Sequence, residues 1–293
     1  MSLQIASLNS GSNGNCYYVG NETEAVLIDA GISCRETEKR MRRLGLSIEK
    51  VKAIFISHEH GDHISGVAVL AKRYALPVYI TAQTFRHGRI LMKQEETLSF
   101  VAHQSVAIGS LKVTAFPKFH DASDPHSFMV SCGEVNVGVF TDLGVCCDQL
   151  VAHFKQCHAA FLEANYDVEM LANGSYPYHL KKRISGGEGH LSNTEALQLF
   201  LEHRPPYMSH LLLAHLSKNN NDPQLVENLF NNHAGNTKIV IAGRYKETEV
   251  YHITHNGAPA AFVPNNVVPR VTLQQLTPKK LLVKKHQHQL SLF

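Results

Sequence analysis

The sequence predicts a mixed α/β fold of two β-rich halves, each carrying helices. Three observations lead there. Apolar, β-branched runs of strand length recur along the chain, segments with apolar residues at helical spacing stand between them, and groups able to bind metal or move protons repeatedly close the apolar runs. Two mixed sheets packed face to face with helices outside would bury such strands and leave their polar ends along one edge. The chain of 293 residues is long enough for a sizeable core, and 44% hydrophobic with 18% charged residues is ordinary globular composition.

Taken in order, "CYYVG" and "EAVLIDAG" read as strands, and "CRETEKRMRRLG" reads as a helix that stops at Gly45. "KAIFIS" is the next strand, "ISGVAVLAKRYAL" a helix and "PVYIT" a strand. "SLKVTAFP", "SFMVSCG" and "EVNVGVFTD" form a meander, and "HAAFLEA" is another buried strand. Ser192 to Glu195 is an S-x-x-E capping box opening the helix "SNTEALQLFLEHR", and "HLLLAH" is a strand ending in histidine. No exact internal repeat is present.

The densest chemistry lies in "ISHEHGDHISG", residues 56–66, on the turn between a strand and a helix. His58 and His60 are two apart in an extended segment, so both rings can point to one side, and Asp62 and His63 follow as the chain enters the helix. Imidazole and carboxylate suit zinc and other first-row divalent ions, and four such groups, with more arriving from elsewhere, point to two adjacent ions. His120, Asp142, His190 and His215 are further strand-end candidates. Spacing alone would accept His103 or His126 in place of His120, a turn-forming role for Asp142, a core position for His215 and a helix-start position for His190.

These residues carry a resemblance. "HEHGDH" resembles the HxHxDH element of the metallo-β-lactamase-fold hydrolases, and "LIDAG" resembles the strand-end aspartate that precedes it there. "ASLNSGSNGNCYYV", "FHDASDP", "FTDLG", "FLEANYDVEML", "YPYHLKKRISGGEGHLSN" and "LLLAHLS" follow in the order seen in the YycJ/WalJ-like subgroup, whose members are regarded as nucleic-acid exonucleases. The likeness spans roughly residues 1–255. It implies a four-layer αββα metallo-β-lactamase sandwich with His58, His60 and His120 on one ion, Asp62, His63 and His215 on the second, and Asp142 bridging both. It further implies that Asp29 orients a ligand through a hydrogen bond, and that His190, similar to a non-ligand histidine of ribonuclease Z-like enzymes, acts on the substrate. Asp62 and His190 are thus the expected catalytic residues. Ser12 and Asn13, in the glycine-rich "NSGSNGN" loop, are expected at a substrate phosphate. The implied cofactors are two divalent ions per chain, Zn2+ first, with Mn2+ also suited to the aspartate oxygens. The implied activity is phosphodiester hydrolysis by an exonuclease acting on DNA or RNA ends in replication or repair; the alternative is a hydrolase of small thioesters or lactones.

The net charge of +3 hides an asymmetry, because residues 264–293 hold Arg270, Lys279, Lys280, Lys284 and Lys285 and no acid, leaving −2 for residues 1–263. We therefore expect a hydrolase domain over residues 1–263 and a basic, flexible tail over 264–293. Within the domain, Lys181, Lys182 and Arg183 are the candidate phosphate patch. The final "QLSLF" places Gln289, Leu290, Leu292 and Phe293 where they gain nothing unless a partner buries them, and it resembles the motif by which bacterial replication and repair proteins dock on the DNA sliding clamp. Six cysteines without a CxxC pair, no basic-then-apolar leading segment and no apolar stretch near ~18 residues predict a cytoplasmic protein with no membrane span.

Overall fold

The computed structural model describes residues 2–255. The expected boundary at 263/264, the basic tail and its closing pentapeptide lie outside the described residues. The chain first lays down β1 (Ser2–Asn9), β2 (Cys16–Gly20), β3 (Ala25–Ile28), β4 (Val51–Phe55), β5 (Val78–Tyr79) and β6 (Thr97–Leu98), which sit side by side in that order in one sheet. The second sheet follows with β7 (Ser105–Ile108), β8 (Leu111–Pro117), β9 (His126–Cys132), β10 (Val135–Phe140), β11 (Ala159–Glu163), β12 (His210–Ala214) and β13 (Lys238–Ile241), again in chain order. The last strand, β14 (Tyr251–Thr254), returns to pair antiparallel with β1.

Side-chain alternation along the strands builds three cores, and these define four layers. Tyr17, Val19, Val26 and Ile28 from the first sheet meet Phe128, Val130, Val139 and Phe161 from the second in a core between the sheets. Their neighbours one residue along point the other way. Tyr18, Ala25 and Leu27 pack outward under α1 (Cys34–Arg43) and α3 (Val67–Tyr74), which follows the short α2 (Gly61–Ile64). The remaining helices on this half of the chain reduce to α4 (Ala82–Gly88). On the far side, Ala160, Leu162, Leu211 and Leu213 pack under α5 (Asp148–Phe154), α8 (Asn193–His203) and α9 (Pro223–Asn231), with α6 (Val168–Asn173) and α7 (Tyr178–Ile184) between α5 and α8 in sequence. The result is a helix–sheet–sheet–helix sandwich, as expected.

Local chemistry fixes the helix ends. Ser33 Oγ accepts from Glu36 N at the start of α1, and Ser192 and Glu195 form the reciprocal capping box of α8 that the sequence predicts. The left-handed Gly45 ends the first helical segment. Strands β1, β6, β7, β13 and β14 and helices α4, α5, α6, α7 and α9 are additions to the sequence-based reading. Among the described residues no helix is long and apolar enough to cross a membrane.

The topology has one consequence for chemistry. Strands β3 and β4 run parallel, as do β10, β11 and β12, and β8 is antiparallel to β9, which is antiparallel to β10. Their C-terminal ends therefore emerge along a common edge of each sheet, where crossover connections leave room for a site.

Candidate metal centre

Six strands deliver a functional group to that edge, at or shortly beyond their last residue. Asp29 follows β3, His58 and His60 follow β4, His120 follows β8, Asp142 follows β10, Glu163 closes β11 and His215 follows β12. Asp29, Asp142 and His215 hold left-handed backbone conformations, with φ of 62°, 55° and 55°. Each costs about 1–2 kcal/mol in a non-glycine residue, and three such residues at one site show a backbone bent to aim side chains.

Residues 56–60 run extended from β4, and His60 caps α2, which carries Asp62 and His63 in its single turn. His58 Nε2 and His60 Nδ1 come within 3.1 Å, and His120 Nε2 lies 3.3 Å from the same His60 atom. Next to this trio, His63 Nε2 and His215 Nε2 lie 3.6 and 3.5 Å from Asp62 Oδ2. Asp142 stands between the two groups, with Oδ2 3.2 Å from His63 Nε2 and Oδ1 3.5 Å from His215 Nε2 and 3.8 Å from His120 Nε2. The family resemblance implies a division into the same two trios, with Asp142 between them. Neither His103 nor His126 joins a metal-capable group among the described residues; His126 Nδ1 instead meets the Asp124 carbonyl at 3.0 Å.

Hydrogen bonds on the outer nitrogens fix which atoms face inward. Buried Asp29 accepts from Ser57 N at 2.8 Å, from Ser57 Oγ at 2.8 Å and from His63 Nδ1 at 2.7 Å. Since the one Ser57 hydroxyl proton goes to Asp29, Ser57 Oγ must accept from His58 Nδ1–H, 2.9 Å away. His120 Nδ1–H donates to the Gly189 carbonyl at 2.9 Å, and His215 Nδ1–H to Glu163 Oε1 at 3.0 Å. Four imidazoles are thus held with Nε2 turned to the centre, the arrangement that orients ligand histidines at a metal.

The donor set fits a pair of divalent cations. Asp142 Oδ2 and His215 Nε2 are buried with no hydrogen-bond partner, which only a further bound group would satisfy. Electrostatics agree. Burial works against charging His63 and His215, yet Asp142, Asp29 and Asp62 lift His63 well above its usual range, and Asp142, Asp62 and Glu163 lift His215 to about 10. Burial also opposes ionisation of Asp62, but His63 and His215 hold it down to about 2. The cluster therefore draws in positive charge, and protons take it where cations do not. His58 differs: burial pushes it well below the usual histidine range, aided by the charge of His63.

Glu163 and Asn15 are functional positions that sequence reasoning missed. Glu163 is fully buried and accepts from Leu143 N at 2.6 Å and Leu191 N at 3.3 Å through Oε2, while Oε1 takes His190 Nδ1 at 2.8 Å and His215 Nδ1. Burial would raise its pKa, but His190 and His215 bring it down to about 2. Its signal was an acid closing the otherwise apolar "AAFLE". Asn15 Nδ2 lies 3.1 Å from Asp62 Oδ2 and 3.0 Å from His63 Nε2. His190 remains partly exposed at the mouth, its Nδ1 engaged by Glu163 and its Nε2 available.

The expected phosphate contacts fall out unevenly. In the 9–15 loop the amides of Gly11, Gly14 and Asn15 are spent on Asn15 Oδ1, Gly11 O and Asp62 O, so the loop braces the centre more than it offers an amide cradle. Ser12 and Asn13 are its exposed members. Lys181 Nζ is tied to the Ala172 carbonyl at 2.7 Å and Lys182 faces solvent; only Arg183 reaches the centre, by pairing with Asp121, whose Oδ1 is 3.4 Å from His120 Nε2.

Comparison with known proteins places this geometry. A family model described as a beta-lactamase superfamily domain matches residues 24–215. The chain is 35% identical over 228 residues to the exodeoxyribonuclease YycJ of Bacillus anthracis, covering 77% of this chain and 86% of that protein. It is 31% identical over 228 residues to the exodeoxyribonuclease WalJ of Streptococcus pneumoniae, covering 76% and 85%. Among solved structures, the metallo-β-lactamase-fold protein YhfI of Bacillus subtilis superposes with a TM-score of 0.67 at 18% identity over 86% of this chain and all of that one, a likeness of fold. By the family match over residues 24–215 and the identity to YycJ and WalJ over about three quarters of its length, this chain belongs to the metallo-β-lactamase-fold hydrolases, in the group of YycJ and WalJ.

Proposed function

We propose that the chain is a dinuclear metal-dependent phosphodiesterase, an exonuclease that acts on DNA or RNA ends. The observation that carries this reading is the His190–Glu163 pair on the open side of two adjacent ligand groups that share Asp142. A hydrolase of activated thioesters expels a good leaving group, whereas a phosphodiester expels an alkoxide that gains from a proton donor. The names of YycJ and WalJ support the same substrate class.

His58, His60 and His120 would hold one divalent ion and Asp62, His63 and His215 the other, with Asp142 between them. Bound there, such ions supply Lewis acidity, neutralise phosphate charge and lower the pKa of water. The protein's own part is positional. Asp29 and Glu163 lock the histidine tautomers, Asn15 and Ser57 brace Asp62 and His58, and Glu163 supports His190 as the imidazolium that gives its Nε2 proton to the leaving oxygen and is left as neutral imidazole. The histidine-rich set favours Zn2+, and the two aspartates admit Mn2+. Free thiols at Cys16, Cys34, Cys146, Cys147 and Cys157 fit a reducing cytoplasm. We further propose that residues 289–293 dock on the DNA sliding clamp, which would assign the enzyme to replication or repair.

The test is direct. Purified protein loaded with Zn2+ or Mn2+ is incubated with end-labelled DNA and RNA oligonucleotides and, separately, with a thioester. Mononucleotide release is expected. Thioester turnover with intact oligonucleotides would instead favour the small-molecule alternative.

A further inference from the structure

Beside the metal centre, a short loop holds an arginine and a tyrosine that none of the chemistry above uses. Arg244 Nη2 donates to the carbonyl of Leu216, the residue after His215, at 2.6 Å, and Nη1 lies 3.5 Å from Ser12 Oγ. The guanidinium lies over Gly11, where an added Cβ would come within 3.0 Å of Nη2. Arg183, Arg40, Arg43 and Arg73 all pair with carboxylates, but among the described residues no carboxylate is in ion-pair range of Arg244. Two of its five donors are engaged, both by neutral oxygens, so a full positive charge and free N–H groups face outward next to the site.

The backbone beneath is fixed at three successive carbonyls. Gly243 O accepts from Ser10 N at 3.2 Å, Arg244 O from Asn13 Nδ2 at 2.8 Å and Tyr245 O from the buried Arg40 at 3.4 Å. The hydroxyl oxygen of the same Ser10 accepts from His215 N at 2.7 Å, which ties this loop to the centre. While its carbonyl is tied down, the Tyr245 ring stays 70% exposed. A stem tied down at three carbonyls thus carries, at consecutive positions, a cation with no acidic partner and an exposed aromatic residue, the pair of groups that grips a nucleic-acid backbone and an unstacked base.

We infer that Arg244 and Tyr245, with the exposed Ser12 and Asn13, form a subsite for a nucleic-acid strand end: Arg244 takes a backbone phosphate and Tyr245 stacks on the terminal base. The inference rests on the phosphodiesterase reading and adds to it that the terminal base of the substrate strand leaves its stack to meet Tyr245.

The test uses the full-length, metal-loaded protein and a phosphorothioate single strand, which resists turnover, carrying fluorescent 2-aminopurine near either end. Arg244→Ala is expected to weaken binding about 10-fold and to lower the slope of log affinity against log salt by about 1, with Arg244→Lys retaining the slope. Tyr245→Ala is expected to abolish the stacking-dependent quench of 2-aminopurine, and Tyr245→Phe to keep it. Wild-type affinity and salt slope in Arg244→Ala, or an unchanged quench in Tyr245→Ala, each overturns the inference. Should Arg244→Ala fail to fold, the solvent-facing Tyr245 pair still decides. Failure of the wild type to release nucleotides from unmodified strands counts against the phosphodiesterase reading alone, since Arg244-dependent binding would still support the subsite.

Discussion

At the scale of single residues, the centre divides into groups that face the cations and groups that hold those in place, and the two should fail differently. Asp62→Ala or His60→Ala removes an inward-facing donor, so turnover should fall by ~10³-fold or more with the fold retained; near-normal activity in either variant would remove that residue from the centre. His190→Ala should keep both metal equivalents and lose about 10²–10⁴ in turnover, because its Nδ1 is committed to Glu163 and its role is proton transfer. Glu163→Gln should do both harms, weakening metal binding by about 10–100-fold through His215 and slowing turnover through His190. Metal analysis alongside kinetics separates the three. Proton bookkeeping gives another check: in the metal-free protein His215, raised to about 10, is charged at neutral pH, so its Nε2 proton must leave when a cation binds. Calorimetry in buffers of different ionisation enthalpy should therefore show proton release at pH 7, and metal affinity should climb as pH rises toward 10. The HEHGDH residues were legible because four donors crowd six positions, whereas Glu163 and Asn15 were not, since a lone acid in an apolar strand and an asparagine in a polar loop gain their meaning only from partners 52 and 48 positions away in sequence.

At the scale of elements, the site depends on how strand ends are braced against one another. Gly31, two residues past Asp29, lies so close to α2 that a Cβ there would fall 1.6 Å from the Asp62 carbonyl oxygen, and its amide donates to Asn15 O while Asn15 N donates back to Asp62 O. Gly31→Ala must push α2 away. Overpacking of this kind costs about 1–3 kcal/mol, or roughly 2–4 °C in Tm per kcal/mol for a chain of this size. Loss of one metal equivalent ahead of the other is the expected signature, since Asp62 and His63 ride on α2 while His120 does not; an unshifted Tm with both metals bound would show that the contact is slack. Periodicity revealed the long central strands and the capped helix α8, because buried positions repeat every second or fourth residue there. It missed β1, whose Gln4 and Ser7 interrupt the apolar run, and edge strand β7, where polar residues face solvent and the pattern comes from its partner β8.

At the scale of the whole molecule, charge is the remaining argument. Residues 1–263 carry −2, yet the proposed substrate is a polyanion, so affinity cannot come from a broad basic field and must come from the cations, from Arg244 and from whatever holds the enzyme near nucleic acid. Residues 264–293, with five basic side chains and no acid, supply a candidate for the last of these, and under the proposed clamp docking "QLSLF" would be its specific anchor. A weak peptide contact to a ring already on DNA raises the local concentration of the enzyme without altering its active site. Deletion of residues 289–293 should accordingly abolish binding to a purified bacterial sliding clamp in calorimetry, leave hydrolysis of a short free oligonucleotide unchanged, and remove any stimulation the loaded clamp gives on a long template. Leu292→Ala with Phe293→Ala should match the deletion, because an apolar pocket reads that pair while the lysines act through phosphate attraction and salt. Full clamp binding by the truncated chain would refute the docking role, and a large fall in its Tm would show instead that the pentapeptide serves the stability of its own domain.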